Sequence, residues 1–329
     1  MRRIPGALCA AMFLIAAVFP SAGALAQSTG IYPQRPVRIV VPYPPGSGTD
    51  IVARLLGQRI GEHWGQPVVV ENRPGAGAIV GVDTVAKAAP DGYTIGIADT
   101  GPFAINPALY PKLPYDPVRD FTPVIELAKL PFMLVAHPSL GVSSVAELIA
   151  KAKREPGRIN YASVGNGSSV QLATELFKKQ AGIDLVHIPY KGSAPASTDL
   201  LGGQLQMMFH GLHLTLPYIT TNRLRALGVT SPQRSAMAPQ LPTLDESGLP
   251  GFKVNAWYGV MAPAGTPKAI VEQVNAALLR NLNAPGMKQR LANQGMVAVG
   301  STPDELALVV REELQVWSRV IKESGAKID

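Results

Sequence analysis

The feature that most constrains this chain is a local design that occurs three times: an apolar strand, a glycine-rich turn and the start of a helix. The three segments are VPYPPGSGTDIVARLL (41–56), ENRPGAGAIVGVDTVAKA (71–88) and NYASVGNGSSVQLATELF (160–177). Glycine allows the backbone to turn sharply at these points and to come close to a ligand. A helix start offers unpaired N–H groups and the positive end of the helix dipole, which favour a carboxylate or a phosphate. The design therefore indicates helix N-termini that bind an anion.

The polar side chains at these helix starts can also be explained by capping alone. Thr49 or Asp50 in the first segment, and Ser168 or Ser169 in the third, suit the N-cap position. There a side-chain oxygen accepts a hydrogen bond from an amide two or three residues later. For Asp50 the capping role alone is favoured. One glycine turn is weak evidence for a ligand, whereas two turns on opposite lobes make a stronger case.

Apolar runs rich in Val and Ile alternate with amphipathic segments along the chain. The predicted strands are 37–41, 68–70, 93–98, 133–136, 185–188, 205–209 and 224–229, and the predicted helices between them include 50–62, 145–154, 170–180 and 194–202. This alternation predicts an α/β protein with mostly parallel sheets.

The length of 329 residues is about twice that of a usual domain, so two lobes are expected. No flexible linker rich in Gly and Ser separates the halves, and the predicted crossovers are ordered strands near 132–137 and 224–230. The expected division places lobe 1 at 27–130 and 228–329, and lobe 2 at 131–227. The final helices, 268–283 and 303–324, are then expected to pack on lobe 1.

The N-terminus has the pattern of a secretory signal. An Arg-Arg start at 2–3 precedes an apolar run of 13 residues at 7–19, and Ala-Leu-Ala at 24–26 suits a cleavage site. The apolar run is shorter than the roughly 20 residues that cross a bilayer, so cleavage is favoured over a retained anchor. We expect a signal peptide at 1–26 and a periplasmic mature protein. Cys9 is the only cysteine, so the mature chain is expected to contain no disulfide.

Charge and aromatic content argue against a nucleic-acid partner. Loss of Arg2 and Arg3 with the signal lowers the formal net charge from +7 to +5. This mild excess would attract anions, but it is spread along the chain. Nucleic-acid binding calls for a basic stripe interleaved with aromatic residues, and the chain has 6% aromatics and no such run.

The motifs of common catalytic sites are missing from the sequence. It has no G-x-S-x-G nucleophile elbow, no G-x-x-x-x-G-K-[ST] loop and no H-E-x-x-H. His210 and His213 have a spacing that a metal site can use, but no neighbouring carboxylate or cysteine completes the set. Trp257, in NAWYGVMAPAGTP, is a candidate for the wall of a cleft, although a core position is more common for tryptophan. We therefore expect no enzyme activity, no metal and no cofactor.

Seven stretches of the chain, in their order and spacing, resemble the solute-binding proteins of the tripartite tricarboxylate transporters, often named the Bug family. They are YPQRPVRIVVPYPPGSGTDIVAR, VVVENRPGAGA, DGYTIGIA, YASVGNGSS, PYKGSAPASTDLLGGQLQMMF, RLRALGVTS and AWYGVMAPAGTP. The resemblance covers essentially the whole mature chain. It implies a type II periplasmic binding protein fold, with two lobes, a hinge and a cleft that closes on a carboxylate held largely by main-chain amides and ordered waters. It also implies a membrane permease as partner.

The resemblance also indicates which residues of this chain contact the ligand. On the first lobe they are Tyr43, Gly46, Ser47, Gly48, Thr49, Asp50, Ala76 and Thr100. On the second lobe they are Ser163, Val164, Gly165, Gly167, Ser168, Ser169, Tyr190, Lys191 and Gly192. Asp199 matches an acid of the family that is expected to be structural. Ala78, Gln171 and His210 depart from the family's usual residues, so the ligand of any one relative cannot be copied to this chain.

The sequence leaves the ligand and the role open. A dicarboxylate such as malate, an amino acid and an aromatic acid such as nicotinate all suit helix ends that prefer negative oxygen. Besides a receptor for a permease, the chain could be a sensing module for a membrane signalling partner or, less in keeping with its motifs, an enzyme on the same fold. The oligomeric state is also open. The resemblance implies a monomer, and no heptad or long exposed apolar segment argues otherwise.

Overall fold

The computed structural model describes residues 32–324 of the 329-residue chain. The predicted signal peptide at 1–26, with Cys9, lies outside these residues. The strands are β1 (Val37–Val41), β2 (Val68–Asn72), β3 (Thr94–Asp99), β4 (Phe121–Ala136), β5 (Asn160–Ser163), β6 (Val186–Pro189), β7 (Met207–Gly211), β8 (Arg225–Val229), β9 (Asn255–Pro263) and β10 (Val297–Ala298). The helices are α1 (Gly48–Trp64), α2 (Ile79–Ala86), α3 (Asn106–Leu109), α4 (Val145–Arg154), α5 (Ser169–Ala181), α6 (Ser193–Leu201), α7 (Leu212–Thr220), α8 (Lys268–Leu282), α9 (Met287–Asn293) and α10 (Pro303–Ser324).

The first sheet has the order β2-β1-β3-β9-β4. Its strands β2, β1 and β3 are parallel, whereas β9 is antiparallel to both of its neighbours. The carboxyl ends of β1 and β3 therefore lie at one edge of the sheet, and the loops that follow Val41 and Asp99 lie side by side. In open α/β sheets such an edge is where ligands bind.

Strand β4 belongs to two sheets. Its residues 121–131 pair with β9, and residues 132–136 pair with β7 and β8. The second sheet continues from β7 to β5 and β6, which are parallel to each other. After β8 the chain passes through residues 230–254 and returns to the first sheet at β9. The chain therefore builds a first lobe and a second lobe, one on each sheet, with β4 running through both.

Each sheet carries its own hydrophobic core. Two clusters cover the first sheet, one containing Leu56 of α1 and the other containing Trp257 of β9. A single larger cluster surrounds the second sheet and includes Tyr161 and Phe209, both with no exposed surface. Full burial of one such side chain contributes roughly 1.5–3 kcal/mol, so each lobe has the means to hold its own shape.

Helix α10 contacts both cores. Leu306 and Val310, in its first half, pack in the cluster around Trp257, whereas Trp317 and Val320 pack in the core of the second lobe. The expectation that the final helices pack on lobe 1 thus holds for α8 but only for the first half of α10. A helix of 22 residues is about 33 Å long, which is enough to reach from one lobe to the other.

The sheets are mixed, so the expectation of mostly parallel sheets holds only for their outer strands. The difference arises in the middle of the molecule, where β4 and β9 run antiparallel to each other and to their neighbours. Pro123 and Pro131 interrupt the sequence of β4, and β9 contains the small residues Ala256 and Gly259, so neither strand shows its full length as an apolar run. Among residues 32–324, no helix combines the length and the apolar character needed to cross a bilayer.

Candidate functional site

A cavity of about 520 Å³ lies where the carboxyl ends of β1 and β3 face the loop that follows β5. Its wall contains ten of the residues predicted from the sequence, namely Tyr43, Ser47, Gly48, Thr49, Thr100, Val164, Gly165, Gly167, Ser168 and Ser169. Residues 46–50 are named turn A below, and residues 167–171 are named turn B. The structure therefore brings two of the three glycine turns to one cavity through several predicted contacts each, and the third reaches it through Gly77 alone.

Turn A is held by a reciprocal pair of hydrogen bonds. The Ser47 hydroxyl is the N-cap of α1 and accepts from the amide of Asp50 at 3.3 Å. The Asp50 carboxylate in turn accepts from the amide of Gly46 at 2.9 Å. This is a form of capping box, which fixes the angle at which the chain enters the helix. The amides of Gly48 and Thr49, at the first two helical positions, have no acceptor within the helix.

Turn B is held in the same way at the start of α5. The Ser168 hydroxyl accepts from the amide of Gln171 at 3.3 Å, and the Gln171 side-chain oxygen accepts from the amide of Gly167 at 2.6 Å. The amides of Ser169 and Val170 occupy the first two helical positions, so they too have no acceptor within the helix.

The first-turn residues of both helices line the same cavity. Gly48, Thr49, Ser169 and Val170 all line it. Each helix end carries a partial positive charge equivalent to roughly half an elementary charge. Two such ends at one cavity would favour an anion even without a cationic side chain.

The carboxylate of Asp50 is engaged inside the first lobe. It accepts from Arg54 at 3.0–3.1 Å and from the side-chain amide of Asn72 at 2.9 Å, in addition to its bond within turn A. Burial acts to raise the pKa of Asp50, but these donors outweigh it and hold the pKa below its usual value. Asp50 is 3% exposed and does not line the cavity, so it has a structural role, as favoured from the sequence. The predicted N-cap position is wrong, because Ser47 rather than Thr49 or Asp50 is the N-cap and Asp50 accepts from the earlier amide of Gly46.

A neutral network supports turn B. The Gln171 side-chain nitrogen lies 3.2 Å from His187 Nδ1, and His187 Nε2 lies 2.7 Å from the Ser163 hydroxyl. Because the Gln171 oxygen accepts from turn B, its nitrogen donates to Nδ1, and the imidazole proton is then on Nε2. The ring of His187 also stacks on Tyr161, with 4.9 Å between centroids. Ser163 and Gln171 therefore position turn B from behind the cavity wall.

The third glycine turn differs from turns A and B. Ala76 and Ala78 both have positive φ, of 47° and 76°, and α2 starts without a side-chain cap. Gly77 lines the cavity, whereas the predicted contact Ala76 does not. Asn106 donates to the Gly77 carbonyl at 2.8 Å, and a Cβ at Gly77 would lie 2.8 Å from the Tyr110 hydroxyl. This turn therefore contributes a close backbone approach without a capped helix end.

A buried acid lies at the first-lobe end of the cavity. Asp99, the last residue of β3, accepts from the Tyr43 hydroxyl at 3.1 Å and from the amide of Gly101 at 2.8 Å. Burial raises its pKa to about 6, against the opposite effect of these two donors. Tyr258 is its cross-strand neighbour on β9, and a Cβ at Gly48 would lie 2.7 Å from the Tyr258 hydroxyl.

Two histidines line the second-lobe side. His210 Nδ1 accepts from the amide of Gly211 at 2.9 Å, so the proton of the neutral ring is on Nε2, 2.8 Å from the Ser197 hydroxyl. Burial, with a smaller effect from His213, lowers the pKa of His210 to about 4. Burial also lowers the pKa of His213, whose Nδ1 has no hydrogen-bond partner among the described residues. Both rings are therefore uncharged at neutral pH.

Seven of the predicted contacts lie outside the cavity wall. They are Gly46, Asp50, Ala76, Ser163, Tyr190, Lys191 and Gly192. Tyr190 donates to Asp199 at 2.6 Å, which gives Asp199 the structural role expected of it, and the neighbouring Ser193 reaches the wall instead. Trp257 is 1% exposed and donates to Glu313 at 2.7 Å, so it is a core residue rather than part of the cleft.

The wall also contains residues that were not among the contacts predicted from the sequence, among them Gly77, Asp99, Asn106, Tyr110, His210, His213 and Tyr258. Asp99 and His210 carried a signal, because each is a polar residue at the end of an apolar strand, where sheets of this kind bind ligands. Tyr258 carried none, because β9 was not among the predicted strands.

The described part of the cavity wall contains no lysine and no arginine. Residues 32–324 also contain no group of three His, Cys, Asp or Glu side chains placed to hold a metal ion. The polar groups of the described wall are therefore backbone amides, hydroxyls, neutral histidine rings, the carboxylate of Asp99 and the side-chain amides of Asn106 and Asn166.

Two lobes, a shared strand and a cavity between two helix starts define the class of two-lobed solute-binding proteins. The family described as the tripartite tricarboxylate transporter family receptor matches residues 52–326. Because this match covers most of the chain, the chain belongs to that family. The resemblance seen in the sequence is thereby confirmed.

Two relatives that match nearly the whole chain agree with this family assignment. Protein BugT of Bordetella pertussis is 39% identical over 302 residues, which are 92% of this chain and 93% of BugT. A protein encoded in the tcbD-tcbE intergenic region of Pseudomonas sp. strain P51 is 40% identical over 310 residues, which are 94% of this chain and 92% of the relative.

Solved structures confirm the type II periplasmic binding fold. Periplasmic binding protein BugD is 36% identical, with a TM-score of 0.75, and Rpa4515 of Rhodopseudomonas palustris, solved with adipate, is 37% identical, with a TM-score of 0.79. MatC of the same organism, solved with bound malate, is 34% identical, with a TM-score of 0.74. Each is covered completely, by 91%, 91% and 88% of this chain, respectively. The proteins of this family are periplasmic solute-binding proteins rather than enzymes.

Proposed function

We propose that this protein is an exported periplasmic receptor that captures a small organic acid with the amides of turn A and turn B. It then delivers the acid to a tripartite tricarboxylate-type membrane permease. The observation that carries the proposal is the pair of helix N-termini, capped alike, whose first residues line one cavity. The described wall contains no lysine and no arginine, which supports these amides as the groups that hold the anion.

Backbone capture is strong enough for this role. A hydrogen bond to a charged group contributes roughly 1.5–3 kcal/mol, and a micromolar complex needs about 8 kcal/mol. The four amides of Gly48, Thr49, Ser169 and Val170 reach that value when the lobes already hold them in place. Both capping boxes provide this order before a ligand arrives, because they fix the helix starts.

The relatives support a carboxylate as the anion. Adipate is bound by Rpa4515 and malate by MatC, at 37% and 34% identity to this chain. A carboxylate at each end of an aliphatic acid would suit a cavity with a helix start on each lobe. We propose capture without a catalytic step, so the acid should leave the protein unaltered.

The export signal and the family support the periplasmic location and the permease partner. The segment at 1–26 has the charged start, apolar run and cleavage pattern of a secretory signal. A receptor of this family works with a tripartite transporter. We propose a monomer, with a lobe boundary after β8 that lies nearer to residue 254 than to residue 227, because Phe252 and Val254 pack in the second-lobe core.

The test is the melting temperature of the mature protein against dicarboxylic, amino and aromatic acids, each paired with its neutral amide. An acid at 100 times its Kd adds about 2.7 kcal/mol to stability, so its melting temperature rises while that of the amide pair does not. Mass spectrometry of the recovered compound should show it unchanged. If amides stabilise the protein as well as acids do, or if the compound is altered, the proposal is wrong.

A further inference from the structure

Asp99 is an unexpected residue in a cavity proposed to bind an anion, because its carboxylate repels a negative charge. It is the one carboxylate in the described part of the wall, and it is 6% exposed. Its Oδ1 accepts from the Tyr43 hydroxyl and from the amide of Gly101. Its Oδ2 accepts no hydrogen bond from residues 32–324, so the group keeps the capacity to accept from a ligand.

Capping explains the position of Asp99 but not its charge. The bond from Gly101 satisfies the first amide of the helical segment that follows β3. A neutral Asn or Ser would cap as well, without the cost of ionising a buried acid. Burial raises the pKa of Asp99 to about 6, which places most of the population in the charged form at pH 7.

The groups that face Asp99 do not neutralise it. They are the hydroxyls of Tyr43, Tyr115 and Tyr258, all of whose pKa values are raised by burial, so all three are uncharged at neutral pH. A ligand carboxylate placed against Asp99 would meet a like charge in a site of low dielectric constant, which is unfavourable. A ligand group that donates a hydrogen bond would meet its natural partner.

We propose that Asp99 determines ligand specificity by accepting a hydrogen bond from an ammonium or hydroxyl substituent beside the carboxylate that the helix amides hold. The inference rests on the proposed function, because it takes a carboxylate in this cavity as given. The location of Asp99 supports the inference. Asp99 is the last residue of β3, which pairs with β1, and the loop that follows β1 leads into turn A. The preferred ligands are then 2-amino acids, followed by 2-hydroxy acids, with unsubstituted acids last.

Two matched series of acids test the preference at two chain lengths. The first is succinate, malate and aspartate, and the second is adipate, 2-hydroxyadipate and 2-aminoadipate. Calorimetry at pH 7 should give the amino acid at least 10-fold tighter binding than the unsubstituted acid at the chain length that fits. Asp99→Asn should reduce this ratio to about 1, and binding of the unsubstituted acid should improve. Glu126→Gln is the control, because Glu126 is also buried but does not line the cavity, and it should keep the wild-type ratio.

A pH series on the wild-type protein gives a second readout that does not depend on the variant. An ammonium ligand prefers ionised Asp99, so its affinity should fall as the pH drops below about 6. An unsubstituted dicarboxylate prefers protonated Asp99, so its affinity should fall as the pH rises through the same range. Asp99→Asn should show neither trend.

The outcomes separate this inference from the proposed function. If acids bind but Asp99→Asn leaves the ratio unchanged, or if unsubstituted acids bind best to the wild type, the role of Asp99 is refuted while acid capture stands. If none of the six acids binds either protein while their neutral amides do, acid capture itself is refuted. Equal pH trends for amino and unsubstituted acids would also overturn the specificity role.

Discussion

Turn A and turn B share their hydrogen bonds but not their charge. In both, a serine caps the helix, the residue three positions later accepts from the glycine before the cap, and two amides are left at the cavity. That third residue is Asp50 in turn A and Gln171 in turn B. One helical turn further on, α1 has Arg54 and α5 has Glu175, so an ion pair supports turn A where turn B has none.

The difference shows which part of the design serves the ligand. The geometry is the same in both lobes, although the supporting residues differ, so the capped helix start is the shared requirement. Turn A keeps its acid away from the cavity by pairing it with Arg54 and Asn72. Turn B has no acid, and the neutral side chain of Gln171 holds the Gly167 amide while its nitrogen bonds to His187. Either solution leaves the helix end positive towards the cavity.

The strongest test of the amides is Ser169→Pro. Proline is well accepted at the first position of a helix, and the extended Ser168 before it suits a following proline. The change removes one amide that lines the cavity and should weaken acid binding about 10- to 100-fold, or roughly 1.5–3 kcal/mol. Ser169→Ala keeps the amide and serves as the control in calorimetry. Equal binding by the two variants would show that the Ser169 amide holds no ligand.

The ion pair between Asp50 and Arg54, which supports turn A, should contribute to the free energy of unfolding. Asp50→Asn leaves Arg54 without its buried partner and should lower stability by about 1–3 kcal/mol at pH 7, measured by urea unfolding. Because the pKa of Asp50 is lowered in the folded protein, its contribution is present above pH about 4 and is lost as the pH falls through the lowered value. The deficit of the variant should therefore shrink in acid. Gln171→Ala is the matched change in turn B, and its deficit should not depend on pH over this range.

Moving the charge of turn A into turn B should weaken binding. Gln171→Glu keeps the acceptor for the Gly167 amide but adds a negative charge at the start of α5, with Glu175 rather than an arginine one turn later. We expect affinity for a dicarboxylate to fall about 5-fold at pH 7, or roughly 1 kcal/mol, and to recover as the new acid is protonated. Tighter binding by this variant, at any pH, would contradict an anion at turn B.

The smallest effect on ligand affinity is expected when a side chain is added to turn A at Gly48. Turn B has a Cβ at Ser169, but a Cβ at Gly48 would lie 2.7 Å from the Tyr258 hydroxyl. Gly48→Ala should therefore displace Tyr258 and weaken binding about 3-fold, or roughly 0.7 kcal/mol. The change should cost nothing further in a Tyr258→Phe background, where the contacting hydroxyl is gone. An equal loss in both backgrounds would show that Tyr258 is not the cause.

Local patterns in the sequence predicted the two helix starts to within a few residues. Ser168 caps α5, as one of its two predicted candidates, whereas α1 is capped by Ser47, two residues before the predicted Thr49 or Asp50. The signal was sufficient because capping depends on residues two or three positions apart. The α/β class and the two lobes followed from the alternation of elements and the chain length, and the type II periplasmic binding fold followed from the resemblance, which the family match confirms.

The rest of the site depends on contacts between distant strands. Asp99 and Tyr258 become neighbours only because β3 pairs with β9, across a separation of more than 150 residues. No local pattern shows this contact, because the pairing of β9 is set by the whole sheet.

Tyr190 was a predicted contact, but its hydroxyl donates to Asp199 and the residue does not line the cavity.

The central claim is that amides of both helix starts hold the acid, and nuclear magnetic resonance of the ¹⁵N-labelled mature protein tests it most directly. During titration with the acid that stabilises the protein best, the amide protons of Gly48, Thr49, Ser169 and Val170 should shift downfield together, with one Kd. The first-turn amides of α4, which is capped by Ser144 but does not line the cavity, should stay in place. Saturable binding that leaves the amides of turn A or turn B unshifted would contradict capture by both lobes.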